Sequence, residues 1–244
     1  VAVIGGGNAA IDASRSALRL GAKEATIIYR RTRAEMPASP EEVEEALHEG
    51  VKIIFLTAPS KISKENGQLK LECIRKELGE PDASGRRRPM PIKGSEFTLE
   101  FDNIIAAIGQ QPEIPARFGL KVSRVNTVQV DSATLATNIE GVYAGGDVVT
   151  GPASVIEAIA AGRKAASSID KYLGGDGVID EELIPKEKSH PWLGRDDGFA
   201  YWIRVAMPSL PVEQRLNGFE EVELGFDEEA AIAEAKRCLQ CQLR

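Results

Sequence analysis

Several things that would narrow a function directly are scarce or missing in this chain. Only three cysteines occur among 244 residues, Cys73 alone and Cys238 and Cys241 separated by two residues at the tail. That is too few for a disulfide framework in a chain this long, and a reducing compartment fits best. There are two histidines, His48 in an acidic stretch and His190 beside Pro191. Neither has a Ser, Cys or metal-ligand neighbour at useful spacing, so neither is assigned chemistry. No run approaches the ~18 uninterrupted apolar residues of a membrane span, and nothing resembles a signal peptide. Basic excess is also missing. The formal charge is −7, which argues against a nucleic-acid partner, because neutralising phosphates takes a basic surface. A soluble, cytoplasmic protein is expected. No methionine precedes Val1, where the first strand already begins, so the sequence reads as a piece of a longer polypeptide.

What is present is an ordinary globular composition, 43% hydrophobic and 27% charged, in a chain long enough to bury a full core. Residues 1–4 are a short apolar run ending in Gly5-Gly6-Gly7, and residues 8–20 place Ala10, Ala13 and Ala17 at helical spacing. This predicts strand, tight turn and helix. Gly21 closes the helix as a left-handed cap, and residues 25–29 follow as a second strand, completing a βαβ unit. Pro40 opens an acidic-first helix over 41–49, closed by Gly50, and 51–56 is the third strand. Residues 69–76 and 96–101 are predicted antiparallel strands around a polar insert with Gly79, Pro81, Asp82, Gly85 and Arg86 to Arg88, a charge run read as solvated surface. A buried strand over 103–108 ends at Gly109, and Gln110-Gln111-Pro112 marks an exit loop. Beyond it come a few short strands, the last over 141–144, and a long helix from Pro152 or Ala153 to Tyr172. An irregular stretch with Pro185, Pro191, Pro208 and Pro211 follows, in which Trp192 and Trp202 are expected to anchor the chain. Asp227 then caps an Ala/Glu-rich helix ending at Cys238.

Three motifs carry chemistry. Gly5-Gly6-Gly7-Asn8-Ala9-Ala10 matches G-x-G-x-x-A between a predicted strand and helix. Gly5 permits the tight turn, Gly7 lets a pyrophosphate approach the backbone, and small Ala10 lets the helix pack close to the strand. The helix start then offers its free N–H groups to the phosphates. The bland alternative is a glycine turn with no ligand. At the end of the second strand, where an acidic residue would bind an NAD ribose, stands Tyr29-Arg30-Arg31-Thr32-Arg33. Basic side chains suit a 2′-phosphate instead, which favours NADP over NAD, against the alternative of a solvated cationic loop. Asp147, after Gly145-Gly146, precedes a helix rich in small residues. Its carboxylate can accept hydrogen bonds from sugar-like hydroxyls, and a reduced flavin suits the positive end of that helix, although an empty turn fits almost as well.

Four segments, residues 3–12, 29–37, 107–112 and 141–147, together resemble the small subunit of NADPH-dependent glutamate synthase and its relatives, flavoproteins with two dinucleotide-binding domains. The likeness runs from Val1 to about Leu173. It implies an α/β fold: a Rossmann-like three-layer NADP-binding domain with an antiparallel β insert over 1–110, and the C-terminal part of an FAD-binding domain over 111–174. Residues 175–244 are left as an irregular tail ending in a helix with Cys238-x-x-Cys241. The implied cofactor-binding residues are Gly5, Gly7, Asn8, Ala9, Ala10, Arg30 and Arg31 for NADPH, with Gly109. Gly146 and Asp147 belong at the FAD ribityl chain, and the backbone near Ser154 and Val155 at the isoalloxazine ring. The implied activity is hydride transfer from NADPH to FAD, with electrons passed to an iron–sulfur centre or partner subunit, so no catalytic side chain is named.

Cys238 and Cys241 could hold an iron–sulfur cluster or zinc completed by ligands outside the chain, or be two ordinary helix-end cysteines. Two rival enzymes find less support. A simple dehydrogenase would need a catalytic His, Lys or Tyr constellation, and a disulfide reductase would carry its cysteine pair inside a folded domain. In the resembling family the FAD domain has its own glycine fingerprint upstream, and this chain has no second match. The missing FAD half or a large partner subunit is therefore an expected partner, as is an electron-acceptor protein, and the edge left unpaired favours self-association. As it stands the chain is expected to be an NADP-binding module that holds FAD weakly or not at all. Purification should return it without stoichiometric yellow flavin, and an absorbance spectrum with one flavin per chain would overturn that expectation.

Overall fold

The computed structural model describes residues 1–82, 85–179, 198 and 201–237. Three apolar runs form the strands β1 (Ala2–Ile4), β2 (Thr26–Ile28) and β3 (Lys52–Ile54), separated by the helices α1 (Asn8–Arg19) and α2 (Pro40–His48). Each crossover returns the chain parallel, with Val3 beside Ile27 and Ile27 beside Ile53. The glycines expected to end the helices do so at positive φ, 93° at Gly21 and 91° at Gly50, a conformation that glycine adopts without a Cβ penalty. A fourth strand, β7 (Ile104–Ala106), pairs parallel on the other side of β1, giving the order β3-β2-β1-β7.

Because successive strand residues point to opposite faces, neighbouring apolar residues enter two different cores. Val3 and Ile27 pack with Ala10, Ile11, Val43 and Ala46 beneath the helices. Ala2 and Ile28 pack with Leu71, Cys73, Phe97 and Leu99 of an antiparallel sheet on the opposite face. That sheet contains β4 (Thr57–Glu65), β5 (Gln68–Pro81) and β6 (Arg87–Phe101) in the order β4-β5-β6. Helices, parallel sheet and antiparallel sheet make the three layers expected of the first domain.

The antiparallel sheet is larger than its sequence suggests. The polar insert is mostly strand: β5 runs on to Pro81 and β6 starts at Arg87, with register shifts at Ile74/Lys76 and Leu78/Pro81. β4 went unrecognised. Its Pro59, and Pro89 and Pro91 of β6, are accommodated because both strands are edges, where a missing N–H need cost no ladder bond. Arg87 and Arg88 therefore sit in a strand rather than a loop.

The described residues cluster into two compact units, one from Val1–Ile108 with Ser189–Arg244 and the other from Gly109–Lys188. The described part of the tail thus groups with the first unit instead of standing alone. In it, Ser209 bridges Glu223, α5 (Val212–Arg215) forms one turn, and Asp227 caps α6 (Glu228–Ala235) by accepting from the Ala230 N–H at 2.8 Å. Trp202 is half-buried, and its carbonyl accepts from Arg237, whereas Trp192, His190, Cys238 and Cys241 lie outside the described residues. In the second unit the strand expected over 141–144 is reduced to an isolated bridge between Ala136 and Tyr143. Two helices follow, α3 (Asp147–Thr150) and α4 (Val155–Tyr172). α4 leaves Val155, Ile156 and Ile159 at least 60% exposed.

A buried ionic cluster fastens the tail. Glu49, with a fully buried side chain, accepts from Arg15 at 3.0 and 2.7 Å and from Arg19 at 3.1 Å. Arg15 also reaches Glu42 at 2.7 Å, and Arg215 of the tail pairs with Glu45 and donates to Ser209 Oγ at 3.0 Å. Burial pushes the Glu49 carboxyl up, but the hydrogen bond and charge of Arg15, joined by Arg19, outweigh it and hold the group below the ordinary carboxylate range. Removing one partner of such a cluster leaves buried charge uncompensated, at a cost of about 3–5 kcal/mol. In chemical denaturation at neutral pH, Glu49→Gln should therefore be less stable than the parent by about 3 kcal/mol. Since the folded pKa lies below the unfolded one, the carboxylate's contribution is complete above about pH 4.3 and fades as pH falls through the folded value. The gap between variant and parent should close toward acid. A gap that persists unchanged to about pH 3 would contradict an ionised Glu49.

Candidate functional site

The carboxyl ends of β1 and β2 lie side by side, joined by the Gly5 N–H donating to the Ile28 carbonyl at 3.2 Å. Here the three glycines have three different reasons. Gly5 has φ 150°, and a Cβ there would lie 2.2 Å from the Ala107 carbonyl oxygen of the chain leaving β7. A Cβ on Gly6 would lie 2.4 Å from the Tyr29 ring, which is fixed by its hydroxyl donating to the Glu35 carbonyl at 2.7 Å. Gly7 differs: its φ of −93° suits any residue, and a Cβ would meet nothing nearer than Pro37 at 3.9 Å. The space beside Gly7 is open on the side a ligand would use.

Gly7 is the N-cap of α1, and no side chain caps that helix. Asn8 and Ala9 are exposed in its first turn, while Ala10 is fully buried against the sheet. The Asn8 side chain accepts from the Ser39 N–H at 2.9 Å, which ties the start of α2 to the start of α1. An uncapped helix start with open backbone donors is an anion site in waiting.

The basic run after β2 is sorted by its surroundings. Arg30 is exposed. The Arg31 side chain is only 4% exposed, and its Nε donates to the Arg87 carbonyl at 2.7 Å while Nη2 meets the Asp82 carboxylate at 2.5 Å. Arg33 turns to the Pro40 carbonyl and Glu44. Between them Thr32 and Glu35 form a capping box around a 3₁₀ turn, Arg33–Glu35. The Thr32 hydroxyl, helped by its N–H and the Arg87 charge, holds the Glu35 carboxyl below the usual range. Gly5, Gly7, Asn8, Ala9, Ala10 and Arg30 therefore gather around one turn, but Arg31 points into the hairpin. Gly6, Asp82 and Arg87 were missed by sequence reasoning. Gly6 occupies a variable position of the motif, and Asp82 lies 51 residues from its partner in an insert read as loop.

In the second unit, Gly145, Gly146, Asp147, Ser154, Val155 and Ala158 line a concave surface of roughly 400 Å³. Gly146 has φ 69° and lets the chain pass close to Ala158. Asp147 accepts from the Ala153 N–H at 3.2 Å. Ser154 caps α4, and its own N–H and hydroxyl both donate to Glu157, at 2.9 and 2.8 Å. In the backbone near Ser154 and Val155, which the resemblance places at a flavin ring, the Ser154 N–H is thus already engaged. Gly109 is exposed at φ 96°, with open space where a Cβ would stand. Among the described residues, no three His, Cys, Asp or Glu side chains converge on a metal position. Nor is any described helix long and apolar enough to cross a membrane.

A glycine turn that feeds an uncapped helix at the carboxyl edge of a parallel sheet defines a Rossmann-type α/β protein. The pyridine nucleotide-disulphide oxidoreductase family matches residues 1–162, and the chain belongs to that family. It is 47% identical to the NADP(+)-dependent formate dehydrogenase subunit beta of Moorella thermoacetica and 40% identical to the NADPH-Fe(3+) oxidoreductase subunit beta of Geobacter sulfurreducens, in each case over 99% of its length. The glutamate synthase [NADPH] small chain of Azospirillum brasilense is 43% identical over 70% of the chain. The family resemblance read from the four motifs is borne out, but its narrowing to glutamate synthase is not, because other reductase subunits match more of the chain. The chain spans only 35%, 41% and 36% of the length of these three relatives. Among solved structures, T. acidophilum thioredoxin reductase (TM-score 0.53, 24% identity) covers 70% of this chain, which covers 51% of that one. Mycobacterium tuberculosis FprA in complex with NADPH (TM-score 0.56, 18% identity) covers 71%, and 52% of that chain is covered. These two show a shared fold.

The three glycines should separate by experiment. Gly7→Ala should leave the thermal melt within about 1 kcal/mol of the parent and weaken dinucleotide binding at least tenfold by calorimetry. Gly6→Ala should cost about 1–3 kcal/mol of stability through overpacking. A Gly7→Ala chain that binds as tightly as the parent would remove the turn from the site.

Proposed function

We propose that this chain is the NADPH-binding part of a flavoprotein oxidoreductase, with residues 1–110 forming the NADP domain and 111–174 contributing the ribityl and ring side of an FAD domain. The carrying observation is the open Gly7 beside an uncapped α1, with exposed Arg30 at the end of the adjacent strand. An NAD site would place a carboxylate where this chain places arginine.

The residues fit a dinucleotide in stated roles. Backbone N–H groups of the α1 first turn would hold the pyrophosphate, Gly7 would admit it, and Arg30 would pair with the 2′-phosphate. Asp147 would accept from flavin hydroxyls, with the start of α4 beyond it. The chemistry comes from the cofactors, hydride passing from the nicotinamide of NADPH to the flavin. The protein needs only to orient and to exclude water, so it requires no acid or base of its own. Electrons would pass onward to an iron–sulfur centre or partner subunit, in line with the beta-subunit names of the two relatives matched over 99% of the chain. Cys238 and Cys241 would be two ligands of a cluster completed elsewhere. The few cysteines suit a cytoplasmic setting.

A second reading rests on the sequence having no second glycine fingerprint: taken alone, the chain is a nucleotide-binding module without reductase activity. Either way, calorimetric titration should find NADPH bound at least tenfold tighter than NADH, a gap of about 1.4 kcal/mol, and Arg30→Ala should abolish the gap. A chain that melts cooperatively yet binds neither nucleotide would overturn the proposal.

A further inference from the structure

The two neighbouring arginines after β2 are chemically identical, yet only one is available. Arg30 is exposed, and among the described residues it makes no hydrogen bond or ion pair. Arg31 is buried, and the Nε–Nη2 edge of its guanidinium is committed to a carbonyl and a carboxylate. An ion pair at 2.5 Å in so little solvent largely cancels the field that either charge projects elsewhere.

The partner is held ready. At the β5–β6 tip the Asp82 N–H donates to the Arg86 carbonyl at 2.8 Å, and the Gly85 N–H donates to the Asp82 carbonyl at 2.9 Å. Arg87, whose carbonyl receives Arg31, donates its guanidinium across the hairpin to the carbonyls of Leu78 at 2.5 Å and Gly79 at 3.2 Å. The Arg87 charge is also felt by Glu35 in the 3₁₀ turn that follows the basic run. The groups that decide where Arg31 points, Asp82 and the Arg87 carbonyl, are therefore contributed by the antiparallel sheet and not by the βαβ unit.

We propose that Asp82 is a specificity-determining residue of the dinucleotide site: by holding Arg31 against the hairpin it withdraws that charge from the 2′-phosphate, which is then read by Arg30 alone. This rests on the NADPH reading and deepens it. A 2′-phosphate and Asp82 compete for one guanidinium, so the preference for the phosphorylated nucleotide is held below what two adjacent arginines would give. Losing the Asp82 charge leaves Arg31 buried without its counter-ion, and the side chain gains by swinging toward an anion.

The test uses adenosine 2′,5′-bisphosphate and AMP as probes, titrated calorimetrically into the 244-residue chain. Asp82→Asn should bind the bisphosphate at least threefold tighter than the parent, with AMP unchanged. Asp82→Glu, which keeps the carboxylate, should stay at the parental value. Arg31→Met should bind the bisphosphate within twofold of the parent, and Arg31→Met/Asp82→Asn should lose the gain, because the cycle assigns the gain to that pair. Unchanged or weaker binding in Asp82→Asn overturns the proposal, and so does a gain that survives in the double variant. Should Asp82→Asn fail to fold, Arg31→Met decides alone, since a loss beyond fivefold would make Arg31 a direct phosphate ligand. A parent chain that cannot tell the bisphosphate from AMP would instead overturn the NADPH reading itself.

Discussion

The carboxyl end of β1 leaves no room for side chains, and much of the first unit is arranged around that crowding. β1 is hydrogen-bonded to β2 on one side and β7 on the other, so the chain leaving it must pass between a backbone carbonyl at Ala107 and the ring of Tyr29. Only hydrogen atoms fit at Gly5 and Gly6. The sharp turn that results sets the start of α1 at the sheet edge, and the one glycine not pressed by protein, Gly7, borders the open side. Structural crowding and ligand access thus divide three consecutive identical residues between them.

Charge follows a similar division. Two long-range ionic contacts do different work in the first unit. The Glu49 cluster joins α1, α2 and the tail through Arg15, Arg19 and Arg215. Its central carboxylate, Glu49, is fully buried, and its effect is to fasten the tail to the two helices through Arg215. The Arg31–Asp82 pair does the same for the long β5–β6 hairpin, but it draws on the basic run of the nucleotide site. Where a positive residue is bound to a fold-stabilising partner, counting arginines in a motif overstates the charge offered to a phosphate.

The second unit is built on small residues. Gly145, Gly146 and Ala158 allow α4 to approach the preceding chain, and Ser154 with Glu157 closes its first turn. The apolar residues near that start, Val155, Ile156 and Ile159, are largely exposed, which is unusual for a surface helix of a finished domain. The relatives it matches are more than twice as long as this chain.

The sequence by itself determined the βαβ unit, the glycine turn, the helix ends at Gly21 and Gly50, and the Asp227 cap. Each rests on residues within a few positions of one another, and backbone sterics and hydrogen bonding act over that range. Tertiary structure alone decided the extent of the antiparallel sheet, the need for glycine at position 6, the attachment of the tail, and the separate fates of Arg30 and Arg31. Edge strands tolerate proline and polar residues, so Thr57–Glu65 and the first part of Arg87–Phe101, before Glu96, carry no strong local strand pattern. Arg31 is removed from the surface by a carboxylate 51 residues away. No spacing rule reaches that far, because the contact exists only once the hairpin has folded back over the sheet.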